Sequence, residues 1–342
     1  MKLLMEQISN DGSSEVLVRS KLRAVSRRMG FSDIKREHLA LVCQEMLTNQ
    51  VKYAEGTGVI QIWESYQPCH ALEFFSLDYG PGITNIPAAM EDDYSSSGTL
   101  GKGLGTIQRL SDQSGFFSVP NGLTRDAPWN GMAVWARFNL DDECGDKVRQ
   151  YDIGQYLRAY HEGPHNGDRV CMNESYGKVR WLHMDGLGHG ASAEEVVINK
   201  CEILDIQEPL DNLMNVLDGR FRGSCGAVAT LGEVDGDGST ASVYGVGDMS
   251  TYLVSRGQLK SIPFAPGILG HEHGAIQGCE LNFSDQAILI TASDGIRRNW
   301  DLTSFPGLWR LHPQFIALFL GQVLGRGNDD KSLFVIRKAN RI

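Results

Sequence analysis

The sequence predicts a chain of mixed α/β (α+β) class folded as two units, on three observations. Its 342 residues exceed the ~150 of a typical domain and leave room for two cores. The first 140 residues set two helical periodicities ahead of strand-like runs, whereas the later sequence is dominated by short apolar runs ending in aspartate and glycine. Between the two patterns lies the acidic stretch LDDECGDKVRQ (140–150), which lacks the Pro, Gly and Ser of a long flexible tether. The expected division is 1–140, a junction at 141–151, and 152–342.

Composition narrows the class. Apolar residues make up 42% and charged residues 22%, as in ordinary globular proteins. No apolar run approaches the ~18 residues of a membrane span, and the start MKLLMEQISN is too polar for a signal peptide, so a soluble cytoplasmic protein with no membrane partner is expected. The net charge is −10, with 13 Lys+Arg against 15 Asp+Glu over 1–140 and 19 against 27 over the remainder. So acidic a chain is not built for the phosphates of nucleic acid. Seven scattered cysteines, none spaced as C-x-x-C, imply neither a disulfide framework nor a zinc site; reduced thiols are expected.

Residues 13–29 place Val16, Val18, Leu22, Val25 and Met29 at mostly helical spacing and stop at Gly30. Four arginines and one lysine form the solvated face of this helix. A second helix follows Ser32 and ends near Ala54, with Leu39, Val42, Met46 and Leu47 as its buried stripe. On another face Glu45, Asn49 and either Lys52 or Tyr53 stand about one turn apart, where they can share a ligand. VIQIW (59–63) and ALEFFSL (71–77) read as strands, the second delivering Asp78 into DYGPGI. GTLGKGLG (98–105) leads into a short helix over 106–110, and MAVWARF (132–138) is a closing strand.

The second unit opens on NGDRVCM, with Asp168 just before a strand. In WLHMDGLGHGASA (181–193) an apolar run with Leu182 and Met184 ends at Asp185 among Gly186, Gly188 and Gly190. These glycines let carbonyl oxygens and a ligand approach the carboxylate. The arrangement suits a hard divalent cation, and equally a turn in which Asp185 caps the next helix. Helices are expected over 193–201 and 210–217, followed by the strands GAVATLGEV, STASVYGVGD and TYLVSRGQL, with Arg256-Gly257 as a hairpin turn. The apolar strand QAILITAS (286–293) ends at Asp294-Gly295. A helix over 313–324 and the loop NDDKS (328–332) precede the last strand, LFVIR. The loop GHEH (270–273) reads as solvent-facing and Cys225 as a small buried residue.

Glu45 and Asn49 on one helix, Asp78-x-Gly80-x-Gly82 after a strand, and Gly101-x-Gly103-x-Gly105 before a helix form an ordered set. With YAEGTG (53–58) and SSSGTLGKGLG (95–105), this set over residues 14–139 resembles the GHKL ATPase fold. Within that fold it resembles the RsbT-type serine kinases that phosphorylate STAS-domain antagonists in bacterial partner switching. No VAIK, HRD or DFG set and no G-x-x-x-x-G-K-[ST] loop occurs. The resemblance implies a Bergerat-type α/β sandwich in which Asn49 helps hold Mg²⁺, Asp78 accepts a hydrogen bond from the adenine amino group, and Glu45 orients or deprotonates the attacking hydroxyl. Gly80 and Gly82 would let the purine lie against backbone. Lys52, Gly101, Gly103, Leu104, Gly105 and Thr106 would close around the ATP phosphates, and Lys102 would pair with a phosphate or face water. The segment 120–131 is longer than the tight turn common in that family and reads as a surface insertion.

Asp168, Asp185, Asp294 and Asp329, in the order GD…DGLGHG…SDGI…DDKS, resemble the SpoIIE- and RsbX-like branch of the metal-dependent (type 2C) protein phosphatases over residues 152–340. This resemblance implies an α-β-β-α sandwich in which Asp185 bridges two Mn²⁺ or Mg²⁺ ions and Gly186 offers its carbonyl. Asp294 and Asp329 would complete one ion, with Asp168 beside the other. Lys331-Ser332 stands where Thr is common, which leaves Asp329 against Asp330 open. Together the resemblances imply a regulator that phosphorylates and dephosphorylates Ser or Thr on a STAS-domain protein, with homo-oligomer formation undecided. The alternatives are a phosphatase with a silent ATP-sensing domain, and a noncatalytic module that sequesters a partner or sigma factor.

Overall fold

Apolar spacing builds the first layer: α1 (Gly12–Met29) and α2 (Asp33–Tyr53) turn their stripes into one core. Val18, Leu22 and Val25 meet Leu39, Val42, Met46 and Leu47 there, all buried. Ser32 starts α2 as its cap, its hydroxyl oxygen accepting from the Lys35 amide at 3.3 Å. The computed structural model describes residues 1–8, 12–54, 57–90, 103–122, 128–141, 150–175, 177–236 and 238–339. The chain divides into two units, Met1–Val148 with Thr303–Leu311, and Arg149–Leu302 with His312–Ile342.

The helices of the first unit lie on a five-stranded sheet of β1 (Lys2–Ile8), β2 (Val59–Ser65), β3 (Ala71–Leu77), β4 (Gln113–Val119) and β5 (Gly131–Asn139). The order is β1-β2-β3-β5-β4, with antiparallel neighbours throughout. Two short helices, α3 (Ile86–Met90) and α4 (Gly103–Leu110), lie between β3 and β4 in the chain. The sequence reading contains β2, β3 and β5 but neither β1 nor β4.

The second unit stacks two five-stranded antiparallel sheets. One contains β7 (Asp168–Ser175), β8 (Lys178–Gly186), β9 (Ala227–Val234), β10 (Thr240–Val246) and β13 (Gln277–Asn282), ordered β13-β10-β9-β8-β7. The other contains β6 (Tyr151–Arg158), β11 (Ser250–Ser255), β12 (Gln258–Ser261), β14 (Ile288–Ala292) and β15 (Lys331–Lys338), ordered β12-β11-β14-β15-β6. Trp181, Val243, Leu253, Phe283, Leu289 and Phe334 fill the space between them. The helices α5 (Ala191–Val197) and α6 (Leu210–Phe221) cover the first sheet, and α7 (Pro313–Leu324) covers the second. The result is the α-β-β-α layering expected. At the hairpin between β11 and β12, Arg256 and Gly257 both take positive φ, 52° and 73°, which the strand twist favours.

Three expectations need correction. The helix expected over 193–201 is α5, which stops at Val197, and a 3₁₀ turn at Cys201–Asp205 follows. That turn packs beside β7, so Cys171 and Cys201, 30 residues apart in sequence, are joined by a disulfide with Cα atoms 5.6 Å apart. Cys69 is disulfide-bonded as well, so the thiols are not all reduced. Cys225 is exposed rather than buried, because it lies in the turn after α6. Among the described residues no helix is long and apolar enough to cross a membrane.

Candidate functional site

In the first unit α2 delivers Asn49, and β3 delivers Asp78, into a cavity of about 550 Å³. Gly82, Gly103 and Leu104 also line it. That volume lies in the ~300–1,000 Å³ range of small-molecule sites. Asp78 is 8% exposed, and its Oδ1 accepts from the amides of Gly80 at 2.9 Å and Met132 at 3.1 Å. Burial raises its carboxyl above the ordinary range, against these two hydrogen bonds. Both bonds fall on Oδ1, so Oδ2 remains for a donor in the cavity. Gly131 makes the geometry possible: its φ is 140°, and a Cβ there would fall 2.1 Å from the Asp78 carbonyl oxygen.

At the other end α4 begins at Gly103 against the polar face of α2. A Cβ on Gly103 would lie 3.0 Å from Glu45 Oε2 and 3.5 Å from the Asn49 amide atoms. Glu45, Asn49 and the first turn of α4 are thus brought together, which suits a phosphate group with a divalent cation. Lys52, Gly80, Gly105 and Thr106 do not line the cavity: Lys52 faces solvent, Gly80 lies against Tyr53, Gly105 against α3, and Thr106 accepts from Arg109. Gly101 and Lys102 lie outside the described residues. Sequence reasoning missed Gln50, whose amide donates to Val59 O and Ser76 Oγ, both at 2.8 Å, and so ties α2 to the cavity floor. Its helical neighbours drew attention first, and only its burial, at 1% exposed, marks it.

In the second unit four aspartates meet at strand ends. Asp168 is paired with Asp185 in the β7–β8 ladder, so the two carboxylates share one face. Asp294 follows β14 and Asp329 precedes β15. Burial pushes the Asp185 carboxyl up to about 10, and the negative charges of Asp168, Asp294, Asp329 and Asp248 add to the effect. Asp168 is raised to about 7, chiefly by burial, against hydrogen bonds from Ser332 and Ser293. Asp294 is raised by burial and by Asp329 and Asp248, while Arg326 and Arg298 oppose.

Asp330 is a different kind of residue from Asp329. Its Oδ1 accepts from the Tyr160 amide at 2.7 Å and its Oδ2 from the Gly167 amide at 2.8 Å, so both oxygens hold backbone. Asp329 is the one whose charge acts on Asp185 and Asp294. Gly295 is needed beside them, because a Cβ there would meet the Asp330 carbonyl oxygen at 1.9 Å. Gly186 closes β8, its amide donating to Gly167 O at 3.0 Å.

A fifth aspartate, Asp248, joins the cluster and was missed, although it follows Gly247 just as Asp168, Asp185 and Asp294 adjoin glycine. Arg298 bonds its carboxylate at 3.3 Å and its carbonyl. As the side chains stand, no three His, Cys, Asp or Glu among the described residues form a closed ligand set. The donor chemistry nonetheless fits a hard cation: carboxylates repel one another here, and Asp168 Oδ1 is buried without a hydrogen-bond partner. His271 and His273 of the GHEH loop bond instead to Ser224 O and Asp218.

Among known proteins, the serine/threonine-protein kinase RsbT of Bacillus subtilis (strain 168) is 34% identical over 105 residues, which cover 30% of this chain and 78% of RsbT. A solved structure from work on the bacterial stressosome, as a modular system adapted to control secondary messenger signaling, shares the fold. It superimposes with a TM-score of 0.51 at 24% identity, over 55% of this chain and 100% of that one. RsbX in complex with magnesium aligns over 56% of this chain and 98% of its own length, with a TM-score of 0.48 and 15% identity. No protein-family model matches the chain.

Proposed function

We propose, from the premise that this chain belongs over its N-terminal region to the family of the serine/threonine-protein kinase RsbT, that it is a two-way regulator of partner switching. One unit phosphorylates, and the other dephosphorylates, a serine or threonine on a STAS-domain partner. The observation that carries the reading is the meeting of Asp168, Asp185, Asp294 and Asp329 from separate strand ends, in a different unit from the cavity lined by Asn49 and Asp78.

In the kinase half, Asp78 would fix the purine through Oδ2, the start of α4 would take the phosphates, and Asn49 would help hold Mg²⁺. Glu45, beside Asn49 and Gly103, would accept the proton of the attacking hydroxyl. In the phosphatase half, Asp185, Asp294, Asp329 and the Gly186 carbonyl would hold Mn²⁺ or Mg²⁺, with Asp168 beside them. When bound, such cations supply the positive charge that in-line hydrolysis of a phosphomonoester needs. The protein's own part is to keep these carboxylates close, from the buried Asp168 to the exposed Asp248, so that cations are drawn in and a dianionic phosphate follows.

The test uses the full chain with a purified STAS-domain protein. Labelled ATP should transfer phosphate to the partner, and Glu45→Ala or Asn49→Ala should stop transfer without stopping removal. Asp185→Asn should do the reverse. Transfer that survives both N-terminal changes, or removal that proceeds in excess chelator, would sink the corresponding half.

A further inference from the structure

The space between the two sheets of the second unit is largely apolar but holds a hydrogen-bonded thread of polar side chains, beside which Thr230 and Thr251 are buried without a hydrogen-bond partner. His183 on β8, Thr291 on β14 and Ser332 on β15 are each 0% exposed, as is Ser293. His183 Nδ1 lies 2.7 Å from Thr291 Oγ1, and His183 Nε2 lies 2.7 Å from Ser332 Oγ. Ser332 Oγ in turn donates to Asp168 Oδ2 at 2.7 Å. Burying such groups costs free energy unless every one is satisfied, and an apolar side chain could fill the same volume. The thread therefore asks for a role other than packing.

Counting protons fixes its direction. The Ser332 hydroxyl has one proton, and that proton lies on Asp168. The Ser332 amide is on Ser293 Oγ at 3.0 Å. At the contact between Ser332 Oγ and His183 Nε2 the imidazole must then be the donor. A neutral imidazole has one donor and one acceptor nitrogen, so with Nε2 donating to Ser332, Nδ1 is the acceptor and Thr291 the donor. Every hydrogen bond in the chain from Thr291 to His183 to Ser332 points toward Asp168.

We infer that His183 is a positioning residue that acts on Asp168 through Ser332: its Nε2–H tautomer holds the Ser332 proton on Oδ2 and leaves Oδ1 for a divalent cation. Asp168 Oδ1 is the oxygen that is buried without a hydrogen-bond partner. The inference rests on the phosphatase reading above, and it adds to that reading a support that runs from His183 through Ser332 of the opposite sheet back to Asp168. Partners that orient a ligand typically change metal affinity ~10- to 100-fold when removed.

Two measurements on the full chain test it. In histidine-labelled protein, long-range ¹H–¹⁵N correlation should show His183 as the neutral Nε2–H tautomer; an Nδ1–H tautomer or an imidazolium overturns the inference with no variant needed. By calorimetry, His183→Leu should bind Mn²⁺ ~10- to 100-fold more weakly. His183→Gln should stay near wild type, because its amide nitrogen can occupy the Nε2 position and donate to Ser332. Circular dichroism verifies that both variants fold. Wild-type binding in the Leu variant overturns the inference alone, whereas a wild-type chain that takes up no Mn²⁺ overturns the phosphatase reading and the inference with it.

Discussion

Asp168 and Asp185 face each other across adjacent strands, a cross-strand pair of like charges that a sheet normally avoids. Replacing Asp185 with Asn removes a carboxyl whose ionised form burial and four neighbouring carboxylates oppose. The metal-free Asp185→Asn protein should therefore melt several degrees higher than wild type, while losing the stabilisation that Mn²⁺ confers. Phosphomonoester hydrolysis should fall at least ~100-fold, the several kcal/mol that a cation's charge contributes. Differential scanning fluorimetry with and without Mn²⁺, beside p-nitrophenyl phosphate turnover, checks both halves.

Asp78→Asn keeps an acceptor oxygen for Gly80 and Met132 but removes the charge that strengthens a bond from the adenine amino group. ATP affinity should drop ~10- to 100-fold, the scale of a hydrogen bond to a charged group. Titration with a fluorescent ATP analogue reads it. Unchanged affinity would move the base-recognition role elsewhere in the cavity.

Gly131→Ala tests the close approach behind Asp78. The substitution puts a methyl group against the Asp78 carbonyl oxygen at a φ that side chains rarely adopt. A loss of ~1–3 kcal/mol in urea unfolding, with weaker nucleotide binding, is expected.

Acid should loosen both units through one glutamate in each. Burial alone would raise Glu64, but hydrogen bonds and charge from Arg28 and His70 outweigh it and hold its carboxyl below the ordinary 4.5. Glu233 behaves likewise between Lys178 and Arg180. A carboxyl depressed in the folded state stabilises above its unfolded value and stops doing so as pH falls through the folded one. The stability these two glutamates supply should thus be level down to about pH 4.5 and decline below it, against the opposite trend from the raised Asp168 and Asp185, and Glu64→Gln or Glu233→Gln should remove that decline relative to wild type. Equilibrium unfolding from pH 6 to pH 3 measures the slope.

The layering and the four strand-end aspartates were legible because interior strands such as β3, β8 and β14 are mostly apolar. The strands that escaped, β1, β4, β6 and β13, all lie at the edge of a sheet. An edge strand pairs on one side only and buries less: β13 reads QGCELN with one buried residue, and β1 has none. The edge strands β7 and β12 were readable through the aspartate motif and the Arg256-Gly257 turn instead. The Cys171–Cys201 link was hidden because it depends on the packing of a 3₁₀ turn, and the role of His183 was hidden because its partners come from two other strands. That Asp330 holds the amides of Tyr160 and Gly167, 170 and 163 residues away, could not be read from the sequence.

The opening and closing strands of the second unit lie side by side over their whole length, Tyr151 opposite Lys338 and Arg158 opposite Lys331. Its chain order is therefore a loop in all but one peptide bond. A circular permutant that joins those ends through a short linker and opens at the exposed Arg256-Gly257 hairpin should retain the sandwich. For protein engineers, the unit is a cassette whose two attachment points sit on one edge.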